Sequence, residues 1–171
     1  MKRKRITERQ LDEAFAERLI ADAKFRTWVL QPSKFASLLP EVRLLHEELS
    51  ASRRMAVNSW RHVWCTLPDR TQGETDIFAV FETRERYRFS VHIENKPPRC
   101  TLRKLQAENY PKRAAFLAGH PRYLKYEGYE TVIMAPGDFI ANEPRCEYFD
   151  RPIRYEEVAA QIPLFAEALR G

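Results

Sequence analysis

The chain has 171 residues, 44% hydrophobic and 31% charged, with a formal charge of +5. That suits one domain over residues 1–171 with a real core and leaves two domains cramped. No apolar run approaches the roughly 18 residues of a membrane span, so no membrane partner is expected, and the modest, dispersed basic charge permits a polyanionic partner without requiring one.

The start, MKRKRITERQ, has no apolar stretch behind it. It therefore reads as no secretory leader, with residues 1–6 a flexible basic terminus. Thr7 opens T-E-R-Q, a capping-box pattern, and Leu11, Phe15, Leu19 and Ile20 recur at helical spacing, so a helix is expected over 8–24. The aromatic segment FRTWVL closes it before Pro32. A second helix is expected after Pro40, in EVRLLHEELSASRRM, with Leu44, Leu45 and Leu49 as its buried stripe. The pattern then turns strand-like over 57–67, bounded by the turn cluster PDRTQG, again over 75–81, and a third time over 87–95. A helix follows over 100–118, then a strand over 129–135, and a final helix over 155–170 interrupted at Pro163. The order α-α-β-β-β-α-β-α describes one α/β domain. Short connections imply antiparallel pairing of the first three strands, and the strand after the helix can lie parallel to one of them.

Cys65, Cys100 and Cys146 are an odd number with no C-x-x-C, and the four histidines form no paired spacing. Neither a disulfide framework nor structural zinc is expected, and a reducing cytoplasm fits. The three tryptophans, Trp28, Trp60 and Trp64, read as core.

An acid, any residue, then lysine occurs twice, as Asp22-Ala23-Lys24 and Glu94-Asn95-Lys96. The first falls in helical sequence, where residues two apart diverge. The second falls in a strand, where positions 92, 94 and 96 share a face, so Glu94 and Lys96 can address one substrate. Asp76 precedes Glu94 by 18 residues, about one strand, one turn and most of another strand. Adjacent antiparallel strands would bring the two carboxylates together. Carboxylate oxygens plus water suit Mg²⁺, and a neighbouring lysine can orient water and stabilise charge on phosphate.

The strings GETDIFAVF, VHIENK and QAENYPKR, in that order, resemble the PD-(D/E)xK nuclease superfamily, with its restriction-endonuclease-like fold. The early helix running into F-x-x-W, the strand TVIMAP and the helix RYEEVAAQI are similar to a bacterial branch of it, over roughly residues 7–165. The resemblance implies a mixed central sheet flanked by helices and a metal-dependent nuclease, most readily a DNA endonuclease of defence or repair. Mg²⁺, or Mn²⁺ in its place, would be held by Asp76, Glu94, the Asn95 carbonyl and a helix acid. Glu17 is that acid, with Glu13, Glu47 and Glu48 as competitors. Lys96 would position or activate water, Gln106 would complete the catalytic set of Asp76, Glu94 and Lys96, and Gln106, Tyr110, Lys112 and Arg113 would face the nucleic-acid backbone. The literal Pro68-Asp69 pair sits in a turn and fits less well than Asp76. Pro111 is expected to kink or end the helix that bears Gln106. A homodimer or a partner protein would supply recognition. The alternative is an inactive module of the same fold that binds DNA or protein.

Overall fold

A computed structural model describes residues 6–171, so the basic terminus lies largely outside the described residues. The chain begins with helix α1 (Glu8–Ala21), closed at its start by the capping box: Thr7 Oγ1 accepts from the Gln10 amide and Gln10 Oε1 accepts from the Thr7 amide. The expected 8–24 helix breaks at Asp22, whose side chain caps α2 (Ala23–Leu30) by accepting from the Lys24 and Phe25 amides. The first acid-x-lysine triplet is thus a helix boundary, and its carboxylate is spent on the cap.

Instead of one helix after Pro40, the chain forms strand β1 (Val42–Leu44) and then helix α3 (His46–Arg53). Three residues are too few to distinguish a strand period from a helical one, and tertiary pairing decides the matter. β1 runs antiparallel to β4 (Ile77–Thr83), with Val42 opposite Thr83 and Leu44 opposite Phe81. The long strand expected over 57–67 shortens to β2 (Val63–Thr66), which pairs only with β3 (Gln72–Thr75) in a separate hairpin. β5 (Arg88–Asn95) pairs antiparallel with β4. After α4 (Lys104–Leu117), β6 (Gly128–Ala135) lies parallel to β5. The following loop holds a short helix α5 (Gly137–Asn142) and an edge strand β7 (Arg151–Arg154), parallel to β6. Helices α6 (Tyr155–Ala159) and α7 (Pro163–Leu169) finish the chain, separated near Pro163 as the sequence suggests.

The central sheet has the order β1-β4-β5-β6-β7 and is mixed, with helices on both faces. Strand alternation sorts its side chains. Phe89, Val91 and Ile93 of β5 join Ile77, Ala79 and Phe81 of β4 in the larger core, with Leu11, Phe15 and Leu19 of α1, Phe25 of α2, and Phe165 of α7. The other face carries Phe78 and Val80 against Leu45, Leu49 and the inward residues of the β2–β3 hairpin. Farther along that face, Ile133 and Ala135 meet Ala107 and Tyr110 of α4. α4 continues through Pro111 rather than ending there. Only the Ala107 carbonyl loses its helical donor, and burial of one helix face against β6 outweighs that loss. No helix among the described residues is long and apolar enough to cross a membrane.

At the middle of the larger core, Phe89 is fully buried and stacks on Phe35 and Phe81, with ring centroids 4.1 and 5.3 Å away. Phe89→Ala should destabilise the protein by about 3–5 kcal/mol, read as a fall in the urea midpoint at unchanged slope. A loss under about 1 kcal/mol would mean that the ring stack carries little of the core.

Candidate active site

The β4–β5 register sets the site. Ile77 pairs with Ile93, so one further step places Asp76 opposite Glu94. Directly opposed residues in an antiparallel pair point to the same face, and β5 alternation sends Glu94 there with His92 and Ser90. Glu94 is fully buried and Lys96 is 8% exposed. Lys96 Nζ lies 2.5 Å from Glu94 Oε1, and the same oxygen accepts from the Gln106 side-chain amide. Asp76 Oδ2 accepts from the Asn95 main-chain amide at 2.8 Å. The four residues expected to carry catalysis, Asp76, Glu94, Lys96 and Gln106, are therefore gathered at one end of the β4–β5 pair.

Asn95 points the other way, toward the large core. Its Nδ2 donates to Asp12 Oδ1 at 2.7 Å, and its Oδ1 accepts from the Tyr155 hydroxyl at 2.5 Å. One side chain thus ties α1 and α6 to the strand end that bears Glu94. This arrangement also corrects the helix acid. Glu17 is exposed, about 140° around α1 from Asp12, and makes no ion pair among the described residues. Its competitors are occupied elsewhere or face solvent: Glu13 pairs with Arg9 and Arg61, Glu48 with Arg43, and Glu47 is exposed. The helix brings Glu8 and Asp12 instead, four residues apart and so on one face. Asp12 is legible only as a polar residue within the apolar stripe Leu11–Phe15, where an acid has no structural reason to be.

The acids titrate as a group. Burial, together with the Glu94 and Asp12 carboxylates, pushes Asp76 well above the usual carboxylate range. Burial also raises Glu94, against the pull of Lys96. Asp12 is pushed up to about 7 by burial and by Glu8 and Glu94, even though Asn95 donates to it. Glu8 is raised by burial and by Glu74, with Lys96 opposing. Burial alone would lower the Lys96 ammonium, but Glu94, Asp76 and Glu8 outweigh it and hold it above its ordinary value.

Two further assignments change. Tyr110 is 1% exposed and packs on Phe149, so it cannot reach a nucleic-acid backbone. Arg113 is 2% exposed, with its guanidinium over the Tyr110 ring and Nη2 donating to the Glu74 carbonyl at 3.2 Å. It props the strand leading into Asp76 rather than presenting itself to solvent. Both turn inward because their helix face is the one packed on β6. Lys112 is exposed, as expected, and donates to Asn109. Asp69 accepts from the amide and hydroxyl of Thr71 in a local turn, apart from the cluster. His92 is buried between Ser90 and Tyr126 and lowered by burial to about 3, a neutral core imidazole.

Beside the cluster opens a cleft of about 710 Å³ between the β2–β3 hairpin and the first turn of α4. Asp76, Gln106 and Arg113 line its floor, and Trp64, Arg103 and Lys104 its walls. Trp64 is 52% exposed, contrary to its reading as core, because the β2–β3 hairpin stands outside the main sheet and β2 buries only its alternate residues Val63 and Cys65.

Do these residues fit a divalent cation? Among the described residues, four buried side-chain polar atoms lack a partner, and three of them, Glu94 Oε2, the Tyr110 hydroxyl and Arg113 Nε, border this cluster. Buried polar groups are nearly always satisfied; of these three only Glu94 Oε2 is an acceptor that a cation could satisfy, since Arg113 Nε is itself a cationic donor. The donors are hard oxygens whose mutual repulsion a cation would relieve. No three His, Cys, Asp or Glu among the described residues form a ready metal-holding group. The fit is to a cation held by two carboxylates and largely by water, which is how Mg²⁺ is commonly bound.

Comparison with protein-family models, with curated proteins and with solved structures returned no match.

Asp12 gives a test of this electrostatic picture. Between about pH 4 and 7 the folded chain keeps a proton that the unfolded chain, with its ordinary Asp value of 3.8, releases. Stability from this group is therefore full at low pH and is lost as pH rises through that window; Asp76 and Glu94, also raised, act in the same direction. In metal-free buffer the melting temperature should fall by several degrees from pH 5 to pH 8, and Asp12→Asn should flatten that fall and raise the value at pH 8. A variant as pH-sensitive as the parent would refute the coupling.

Proposed function

We propose that this chain is a Mg²⁺-dependent nuclease of the restriction-endonuclease-like kind that hydrolyses phosphodiester bonds in DNA. The observation that carries this reading is the meeting of Asp76, Glu94 and Lys96 at one strand end, with Gln106 fastening Glu94 and the second Glu94 oxygen left without a partner. A structural ion pair would need Glu94 and Lys96 alone; it gives no reason for the half-buried Asp76 and the buried Asp12 to lie close enough to Glu94 for its charge to raise the pKa of both. Asp76, Glu94 and the Asn95 main-chain carbonyl would hold the cation. When bound it supplies Lewis-acid polarisation of the phosphate and a more acidic water.

The chain's own groups do the rest. Lys96, kept protonated by its acidic neighbours, acts as a charge donor that orients the attacking water and stabilises the phosphate oxygens. It is not poised as a general base. Gln106 keeps Glu94 in place, so the carboxylate need not reorganise as charge develops. Water adds to phosphorus while the bond to the leaving ester oxygen breaks; the attacking water gives its proton to solvent and the leaving oxygen takes one from it.

The second reading, a module of the same fold that binds without catalysis, has one observation in its favour: no three metal-ligating acids, cysteines or histidines among the described residues form a ready group. Purified protein with Mn²⁺ or Mg²⁺ should cleave plasmid or oligonucleotide DNA, and Lys96→Ala should cut the rate by about 100-fold or more. Calorimetric titration with Mn²⁺ should give a saturable site that Asp76→Ala removes. DNA left as intact by the wild type as by Lys96→Ala would end the nuclease reading, and no saturable Mn²⁺ site would favour the binding module.

A further inference from the structure

The cleft beside the carboxylates has walls of a different character from its floor. Trp64 projects from the outward-facing side of β2, and Leu105, 63% exposed, stands at the start of α4. Exposed apolar side chains are ordinary when scattered singly; these two line the same cleft. The first turn of α4 forms the other wall through Lys104, Leu105 and Gln106, and its N-cap Arg103 has no side-chain capping bond. These three residues precede the first intrahelical bond, from the Ala107 amide to the Arg103 carbonyl, so their amides border the cleft beside the side chains of Arg103 and Lys104. Arg113, buried with Nε unpartnered, lines the same space. Glu74 also lines it, engaged by His62 Nδ1 at 2.6 Å.

An indole, a helix amino end and two basic side chains around one cleft make complementary halves of a nucleotide site. The amide groups and the basic pair suit a phosphate, and the indole suits the face of a base. Base faces are covered in a duplex and free in a single strand. The volume is that of a small-molecule pocket, room for a few nucleotides at most. We infer that Trp64 is a stacking platform for an unpaired base, with the adjoining phosphate held at the start of α4 by Arg103 and Lys104, so that the substrate enters this cleft as a single strand. This deepens the nuclease reading and rests on it for placing the scissile phosphate near Asp76; the platform itself can be tested without cleavage.

The test uses the full chain carrying Lys96→Ala, in metal-free buffer, with a fluorescently labelled single-stranded DNA 12-mer and the matching blunt duplex as probes. Trp60 is buried and Trp28 half-buried, so the exposed Trp64 should dominate any change in indole emission. The single strand should quench that emission and bind more tightly than the duplex. Trp64→Ala should weaken binding about tenfold or more, and Trp64→Phe should restore most of the affinity while abolishing the quench. Replacing Arg103 and Lys104 together by alanine should weaken binding and flatten its dependence on salt. Equal affinity of the Trp64→Ala protein and its parent, preference for the duplex, or no binding at all would overturn the platform. Cleavage by the chain with native Lys96 in Mn²⁺ is scored separately. Binding on Trp64 without cleavage removes the nuclease reading and keeps the platform, and cleavage with binding indifferent to Trp64 does the reverse.

Discussion

Like charges resist being brought together away from water, and the arrangement of this chain depends on forcing them to do so. Asp76 and Glu94 face each other across two paired strands, Asp12 approaches from a helix, and Lys96 answers them from the same strand end, with Arg113 and Arg61 assisting from farther off. The register of β4 against β5 enforces the arrangement, and slipping it by one residue would turn both strands' apolar side chains out of their cores. Packing of Phe89, Phe81 and Ile77 therefore holds the carboxylates in a proximity they would not choose.

The two sides of the sheet divide the labour. One side is a broad apolar core under α1, α2 and α7, and it is tied to the site by Asn95, whose amide holds Asp12 on one hand and Tyr155 on the other. The opposite side carries the Asp76–Glu94–Lys96 cluster. There α4 supplies Gln106 to Glu94 and Arg113 to the approach of β3, and the hairpin walls off the cleft. A single strand residue facing backward thus ties the amino-terminal helix to the strand end that bears Glu94 and Lys96.

Much of this is legible in the order of residues alone. Glu94 and Lys96 stand out because a strand puts residues two apart on one face, and Asp76 because an acid begins the preceding apolar run. The capping box at Thr7, the antiparallel β4–β5 pair and the parallel β6 all follow from local pattern. Other features are not written locally. β1 is too short to show a period and exists because β4 offers an edge. Glu17 and Asp12 are both acids on one helix, and only the packing of α1 decides which looks inward. Tyr110 and Arg113 read as a basic, aromatic surface because a sequence does not say which side of α4 meets β6. Trp64 reads as core because a tryptophan in a strand usually is, and the hairpin's separation from the main sheet leaves it outside.

Arg113 lies so close to the hairpin that a methyl group added at Gly73 would sit 2.5 Å from its Nη1. Glycine is needed there for the space it leaves, since no glycine in the described chain takes a positive φ. The two positions, far apart along the chain, therefore meet in space. Among descendants of this gene, a side chain gained at 73 would push aside the far end of Arg113, which its bond to the Glu74 carbonyl resists, and co-variation of that pair would be a historical record of where the hairpin rests on its helix.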